Sequence, residues 1–179
     1  MHGLDGLASR TIFLVRKPDV KDATTILEYM RRVGAETDFL FLDENGIPGV
    51  DIEGEVAYIE NVLELINTSM YLGFVGEELV SLCEIRAGIR PRNAHNATIA
   101  ITVLKQFWNL GIGKTLMQEM VDFARSTNVL ENLTLDVRAD NTRAVILYER
   151  FGFKVVGRYT RYMKIRGEYF DVLLMELRL

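Results

Sequence analysis

The sequence predicts an α/β (α+β) fold, a mixed sheet of about seven strands with about four helices on its faces. Three observations predict it. β-branched and apolar runs alternate with helix-periodic stripes in the order β-α-α-β-β-β-α-β-α-β-β. A strand-like run over residues 97–103 feeds a glycine loop that opens a helix at Ile112. The chain, 179 residues at 49% hydrophobic and 26% charged, has enough apolar side chain for a sizeable core and enough charge for a soluble surface. Residues 1–179 are read as one domain.

The elements follow in order. Residues 11–15 form a first strand. Asp19 or Asp22 caps a helix whose apolar stripe is Ala23, Ile26, Leu27, Met30 and Val33, and Gly34 is expected to stop it. Residues 35–52 carry the turn signals Asn45-Gly46 and Pro48-Gly49, in a segment long enough to serve as a substrate-binding lid. A second helix turns Val56, Ile59, Leu63 and Ile66 to one side. Residues 70–75 and 79–86 form a hairpin about Gly76-Glu77-Glu78. A turn with Arg90 and Arg92 leads into the strand over 97–103. The third helix then faces Ile112, Leu116, Met120, Phe123 and Ala124 inward. Residues 133–137 are a strand, Asp140-Asn141-Thr142 starts a fourth helix, and Gly152 ends it. The tail over 154–177 reads as two strands about Arg166-Gly167.

Composition removes several functions. No apolar run reaches the roughly 18 residues that cross a bilayer, and residues 1–10 lack a leader pattern, so a cytoplasmic protein is expected. Cys83 stands alone and the only histidines are His2 and His95, so neither an internal disulfide nor a metal centre is expected. Net charge is −4, and between Val33 and Ile85 there are twelve acidic residues with no Lys or Arg. That stretch either attracts a cationic substrate or is a solvated face. Nucleic acid needs a basic face and is disfavoured.

Chemistry concentrates in Gln106-Phe107-Trp108-Asn109-Leu110-Gly111-Ile112-Gly113-Lys114-Thr115. Strand, glycine loop and helix in that order build an anion cradle, because glycines let backbone N–H groups approach and the helix aims its positive end at the same point. A nucleotide-type P-loop requires glycine at position 108, which is Trp108, and a dinucleotide fingerprint requires glycine at 116, which is Leu116. Lys105 and Lys114 lie close enough to screen phosphate charge.

Downstream, Asn141-x-x-Ala144-x-x-Leu147-Tyr148-x-x-x-Gly152-Phe153 completes a pattern with Val103 and the Gly111/Gly113 loop. Over residues 70–177 the chain resembles the GCN5-related N-acetyltransferase (GNAT) superfamily, and before that in element order only. The resemblance implies a mostly antiparallel sheet that splays in its middle. It implies acetyl-CoA as cosubstrate, with its pyrophosphate on the loop's backbone N–H groups. Contacts then fall on Val103, Leu104, Trp108, Asn109, Leu110, Gly111, Ile112, Gly113, Lys114, Thr115, Asn141, Ala144 and Tyr148. Trp108 replaces the family's usual Gln or Arg. An N–H of Val103 or Leu104 is expected to hold the thioester carbonyl, and Tyr148 to protonate the departing CoA sulfur.

The implied reaction is transfer of an acetyl group from acetyl-CoA to a primary amine of a small molecule or peptide, by direct attack in a ternary complex. A phenol of pKa about 10 suits a thiolate leaving group. Glu84 is the first candidate base, since apolar neighbours would raise its pKa. Asp136 is the second, and ordered water serves if neither does. Cys83 has no neighbouring His and is a poor nucleophile. Asn141 either reaches the pantetheine arm or acts as a helix N-cap. The alternative function is a non-catalytic acyl-CoA-binding sensor or subunit, which would not need Tyr148. Tyr159, Tyr162, Tyr169 and Phe170 in the terminal hairpin suggest either a homodimer interface or closure of the acceptor site.

Overall fold

The computed structural model describes residues 13–179. The expected strand at 11–15 is therefore seen from Phe13 onward, and the expectation for residues 1–10 lies outside the described residues. Among the described residues seven strands form one sheet: β1 (Phe13–Arg16), β2 (Ser69–Val75), β3 (Glu78–Ala87), β4 (Asn96–Val103), β5 (Asn132–Arg138), β6 (Lys154–Ile165) and β7 (Glu168–Arg178). Their spatial order is β1-β2-β3-β4-β5-β7-β6. Every neighbouring pair is antiparallel except β4 and β5. Four α-helices accompany it: α1 (Ala23–Glu36), α2 (Ile52–Glu64), α3 (Ile112–Ser126) and α4 (Thr142–Arg150).

Register decides which helix covers which face. Leu82 lies opposite Thr102 and Cys83 opposite Ile101, so consecutive residues point to opposite sides. On the Thr102 side, the Tyr29 hydroxyl of α1 donates to Thr102 Oγ1 at 2.9 Å. On the other side Tyr71, paired with Cys83, meets Phe123 of α3 edge-on at 6.4 Å. Helices α1 and α2 thus cover one face and α3 the other. α3 buries Ile112, Leu116, Met117, Met120, Val121 and Ala124.

Three expectations about helices are corrected. Asp19 caps a short 3-10 turn (Val20–Asp22), accepting from the Lys21 N–H at 2.9 Å, and Asp22 then stands at the N-cap position of α1 without a side-chain capping bond. Gly34 does not stop α1, which continues to Glu36. It is a close-approach site instead: a Cβ there would stand 2.1 Å from the Asp43 carbonyl oxygen. On α2 the buried positions are Glu55, Ile59 and Val62, whereas Leu63 is 47% exposed and Ile66, past the helix end at Glu64, is 77% exposed. The helix is turned so that a glutamate faces inward and the apolar Leu63 faces out.

Gly34→Ala tests the close approach. Alanine gains about 1 kcal/mol of helix propensity, but the overlap is with backbone that cannot rotate away. Overpacking of about 1–3 kcal/mol is expected to win. The melting temperature should fall by several degrees, read by thermal denaturation. An unchanged or higher value would mean the 37–51 loop is not seated on Gly34.

Candidate active site

β4 and β5 pair only through Asn96–Asn132, Ala97–Leu133 and Thr98–Thr134, and then part. The opening is the splay. Leu104 N–H donates to the Val80 carbonyl at 2.9 Å while Ser81 lies opposite Val103. Val103 is therefore a non-hydrogen-bonded partner of β3, and its own N–H and C=O point into the splay, as do those of Ile101. The Trp108 indole N–H donates to that Val103 carbonyl at 2.7 Å, which leaves the Val103 N–H facing the gap. The gap continues into a cavity of about 1370 Å³ that reaches from the glycine loop to α2.

The glycine loop borders one end. Asn109 and Gly111 take left-handed backbone at φ 65° and 86°. Nothing lies within 4 Å of where a Gly111 Cβ would stand. The first intrahelical bond of α3 runs from Thr115 N–H to the Gly111 carbonyl at 3.1 Å, so the N–H groups of Ile112, Gly113 and Lys114 have no partner within the helix. Gly113 has a second role: a Cβ would come 3.3 Å from Leu147 of α4. The Arg143 guanidinium lies over the Trp108 ring at 3.5 Å, bringing a cation to the corner where the indole stands.

Glu84 sits on β3 between Met70 and Ala100. It is 8% exposed and its Oε1 has no hydrogen-bond partner. Burial is the main force that pushes its carboxyl up to about 7; Arg86 opposes this and Glu55 adds to it. Arg86 Nε stands 3.4 Å from the other oxygen. Tyr148 on α4 is buried against Phe153, and burial pushes its hydroxyl up to about 12. Both residues line the cavity, and so does Asp136, which stands exposed on β5 with its carboxyl raised by partial burial. Asn141 is the N-cap of α4, its side-chain oxygen accepting from the Ala144 N–H at 3.3 Å.

The 37–51 segment roofs the other end. Its anchor is Arg138, a buried residue of β5 that the sequence reading passed over. The guanidinium lies between the rings of Phe39 and Phe170, at 4.4 and 4.1 Å from their centroids. It also donates to the Asp38 carbonyl at 2.8 Å and to both Asp140 carboxylate oxygens at 2.6 and 2.9 Å. Each desolvated cation–π contact contributes about 1–2 kcal/mol. The terminal hairpin takes part as well, because Tyr162 packs edge-on against Phe41 at 6.0 Å.

Of the site residues expected from sequence, Glu84, Val103, Trp108, Asn109, Gly111, Ile112, Gly113, Lys114, Asn141, Ala144 and Tyr148 line this cavity. Leu104, Leu110 and Thr115 do not. Leu104 is fully buried with its N–H held by Val80, which removes it as an oxyanion donor. Leu110 is 68% exposed at the loop apex. Thr115 turns its hydroxyl back to the Gly111 carbonyl at 3.4 Å. Lys105 also lies away from the cavity, with its N–H donating to Glu36 at 2.7 Å. Tyr58, whose buried hydroxyl has no partner, does line it; an isolated tyrosine on a helix carries no pattern by which to find it.

Residues 48–153 match the model of the acetyltransferase (GNAT) family. This chain belongs to the GNAT family. An acetyltransferase of the GNAT family from Streptococcus pneumoniae superposes with TM-score 0.90 at 31% identity, over 94% of this chain and 100% of that one. The yncA protein of Salmonella typhimurium, a putative acetyltransferase solved with its cofactor acetyl-CoA, superposes at 0.80 with 17% identity, over 93% and 94%, a likeness of fold alone. Among curated proteins, the L-amino acid N-acetyltransferase AaaT of Escherichia coli is 33% identical over 48% of this chain and 53% of its own length. The N-alpha-acetyltransferase RimI of Mycobacterium tuberculosis is 44% identical over 32% and 34%. The chain spans about half the length, or less, of these curated relatives.

Proposed function

We propose that this GNAT chain transfers an acetyl group from acetyl-CoA to a primary amine by direct attack in a ternary complex. One observation carries the reading: a single cavity holds the unpaired N–H groups of the α3 N-terminus, the backbone edge of β4, Glu84 and Tyr148. The residues suit acetyl-CoA. Gly111 leaves open space for a pyrophosphate beside three helix N–H groups. Ile101 and Val103 offer a strand edge to the amides of a pantetheine arm. Acetyl-CoA, once bound there, supplies the activated acetyl group.

In the reaction the amine nitrogen bonds to the acetyl carbon, the carbon–sulfur bond breaks, the amine loses a proton and the sulfur gains one. Glu84 takes the proton; a carboxyl held at about 7 is matched to that task near neutral pH. Tyr148 gives one to the sulfur, and its raised pKa keeps the phenol protonated until needed. Val103 N–H is the oxyanion donor, in place of Leu104. Cys83 takes no part: it lies fully buried on the opposite face from Glu84, with its thiol pushed up by burial. The relatives' names, an L-amino acid acetyltransferase and N-alpha-acetyltransferases, support an amine acceptor.

Thiol release from acetyl-CoA, followed across alkylamines, polyamines, aminoglycosides, amino acids and peptides, tests the reading. Release with one class of amine is expected. If acetyl-CoA raises the melting temperature yet no amine yields thiol, the non-catalytic binding reading replaces this one.

A further inference from the structure

Of the twelve acidic residues between Val33 and Ile85, only Glu55 and Glu84 are buried. Asp43, Glu44, Asp51, Glu53, Glu60 and Glu64 are exposed, and Arg32 pairs with both Glu36 and Glu78. The acidic stretch is therefore mostly a solvated surface. Besides Glu84, what it sends into the cavity is one carboxylate, Glu55, 2% exposed on the inner face of α2. One turn along that helix, the Tyr58 hydroxyl is buried without a partner, and Glu84 Oε1 is a second orphaned polar atom on the same cavity. Buried polar atoms left unsatisfied are costly, and a site that leaves two of them facing one cavity, beside the buried carboxylate of Glu55, is complementary to a ligand that bonds to them. The surrounding wall is apolar: Met30, Leu40, Phe41, Ile47 and Val50 line it.

The geometry points to an acceptor with a single cationic amine head and an apolar body, whose ammonium is received by Glu55 and Tyr58 and passed to Glu84. This rests on the acetyl-transfer reading and names its substrate class. It places Glu55 as a specificity and positioning residue, distinct from the base. An ammonium has three donors, which match Glu55, Tyr58 and Glu84 Oε1. The wall formed by Met30, Leu40, Phe41, Ile47 and Val50 carries no carboxylate for the second ammonium of a polyamine, and the cavity's further acid, Asp136, stands exposed on β5. Groups sharing the cavity with Glu84 are Arg86 on its own strand, Glu55 and Tyr58 on α2, Asp136 and Arg138 on β5, Tyr148, Arg143 and Arg150 on α4, and Lys114 on α3. Glu55 is the carboxylate among them whose charge adds to the upward push on Glu84, so its removal makes Glu84 ionise at lower pH.

The test is kcat/KM for hexylamine, phenethylamine and spermidine, measured from pH 5 to 9 with wild type, Glu55→Gln, Tyr58→Phe, and the surface controls Glu53→Gln and Glu60→Gln. The apolar monoamines should exceed spermidine. Glu55→Gln should raise KM for them about ten- to hundred-fold, the range for loss of a hydrogen bond to a charged group. It should also move the acid limb of the profile to lower pH, a shift that a merely structural residue would not cause. Tyr58→Phe should raise KM several-fold, and it serves as the decisive variant if Glu55→Gln does not fold; Glu53→Gln and Glu60→Gln should match wild type. Spermidine as the preferred amine, or unchanged KM and acid limb in Glu55→Gln, overturns the proposal while leaving acetyl transfer standing. No thiol release from wild type with any amine overturns both.

Discussion

Replacing Tyr148 with phenylalanine is expected to lower kcat by about two to four orders of magnitude, the usual worth of a positioned acid or base. Acetyl-CoA affinity should stay nearly unchanged. The variant removes one oxygen from a ring that packs on Phe153 at the base of α4, so the helix and its Asn141 cap remain. The loss should therefore appear in kcat and not in the dissociation constant, the signature of a contact made only as the thiol departs. Because burial pushes the phenol up to about 12, it is protonated throughout the working range, and the wild-type rate should show no alkaline limb from Tyr148 below that value. Steady-state kinetics with calorimetric titration of acetyl-CoA check this. Wild-type turnover in the variant would remove Tyr148 from the mechanism.

Glu84→Gln is expected to change activity and stability in opposite directions. For activity, wild-type kcat/KM should rise with pH through about 7, as the buried carboxyl ionises and becomes a base. The glutamine variant should lose that limb and fall at least about a hundred-fold at neutral pH. For stability the sign follows from linkage. The folded carboxyl ionises near 7 against an ordinary 4.5, so the folded state binds the proton more tightly than the unfolded chain. The stability this confers is fully present below 4.5 and is lost as pH rises to about 7. At about 1.4 kcal/mol per pH unit the loss is roughly 3 kcal/mol. Glutamine carries no charge to desolvate, so the variant should keep that stability at pH 8 and unfold at higher denaturant concentration than wild type. Urea titrations at pH 4.5 and 8 distinguish the cases. A variant equally weakened at both pH values would mean that Glu84 is held by packing and hydrogen bonding, not strained by its charge.

A carboxylate that destabilises the fold yet is retained at the mouth of a splayed sheet is what a functional site looks like energetically. Glu55 repeats the theme, since a helix turned only for stability would bury Leu63 and expose Glu55, and α2 does the reverse. Both residues lie on elements whose other buried positions are apolar, Ser81 of β3 excepted.

Much of this chain was legible from sequence because the signals are local. Alternation and helical stripes report on residues two to four apart, so all seven strands and four helices fell where expected, apart from their ends. The glycine loop and the Asn141-to-Tyr148 spacing are local too, and they brought most of the expected residues to one cavity. Tertiary structure decided what depends on partners far along the chain. Whether Val103 or Leu104 offers a free N–H turns on the β3–β4 register, which gives Leu104 to Val80. Gly34 looked like a helix stop until the Asp43 carbonyl was found against it. Arg138 locks the cavity roof between Phe39 and Phe170, residues 131 positions apart by number, and no spacing rule connects them. Apolar neighbours set Glu84 apart in sequence, but nothing set Glu55 apart from the other acidic residues, and only packing desolvated it. The physical reason is common to all four cases: local pattern sets backbone conformation, whereas hydrogen-bond pairing and burial of charge are set by which distant surface arrives on top.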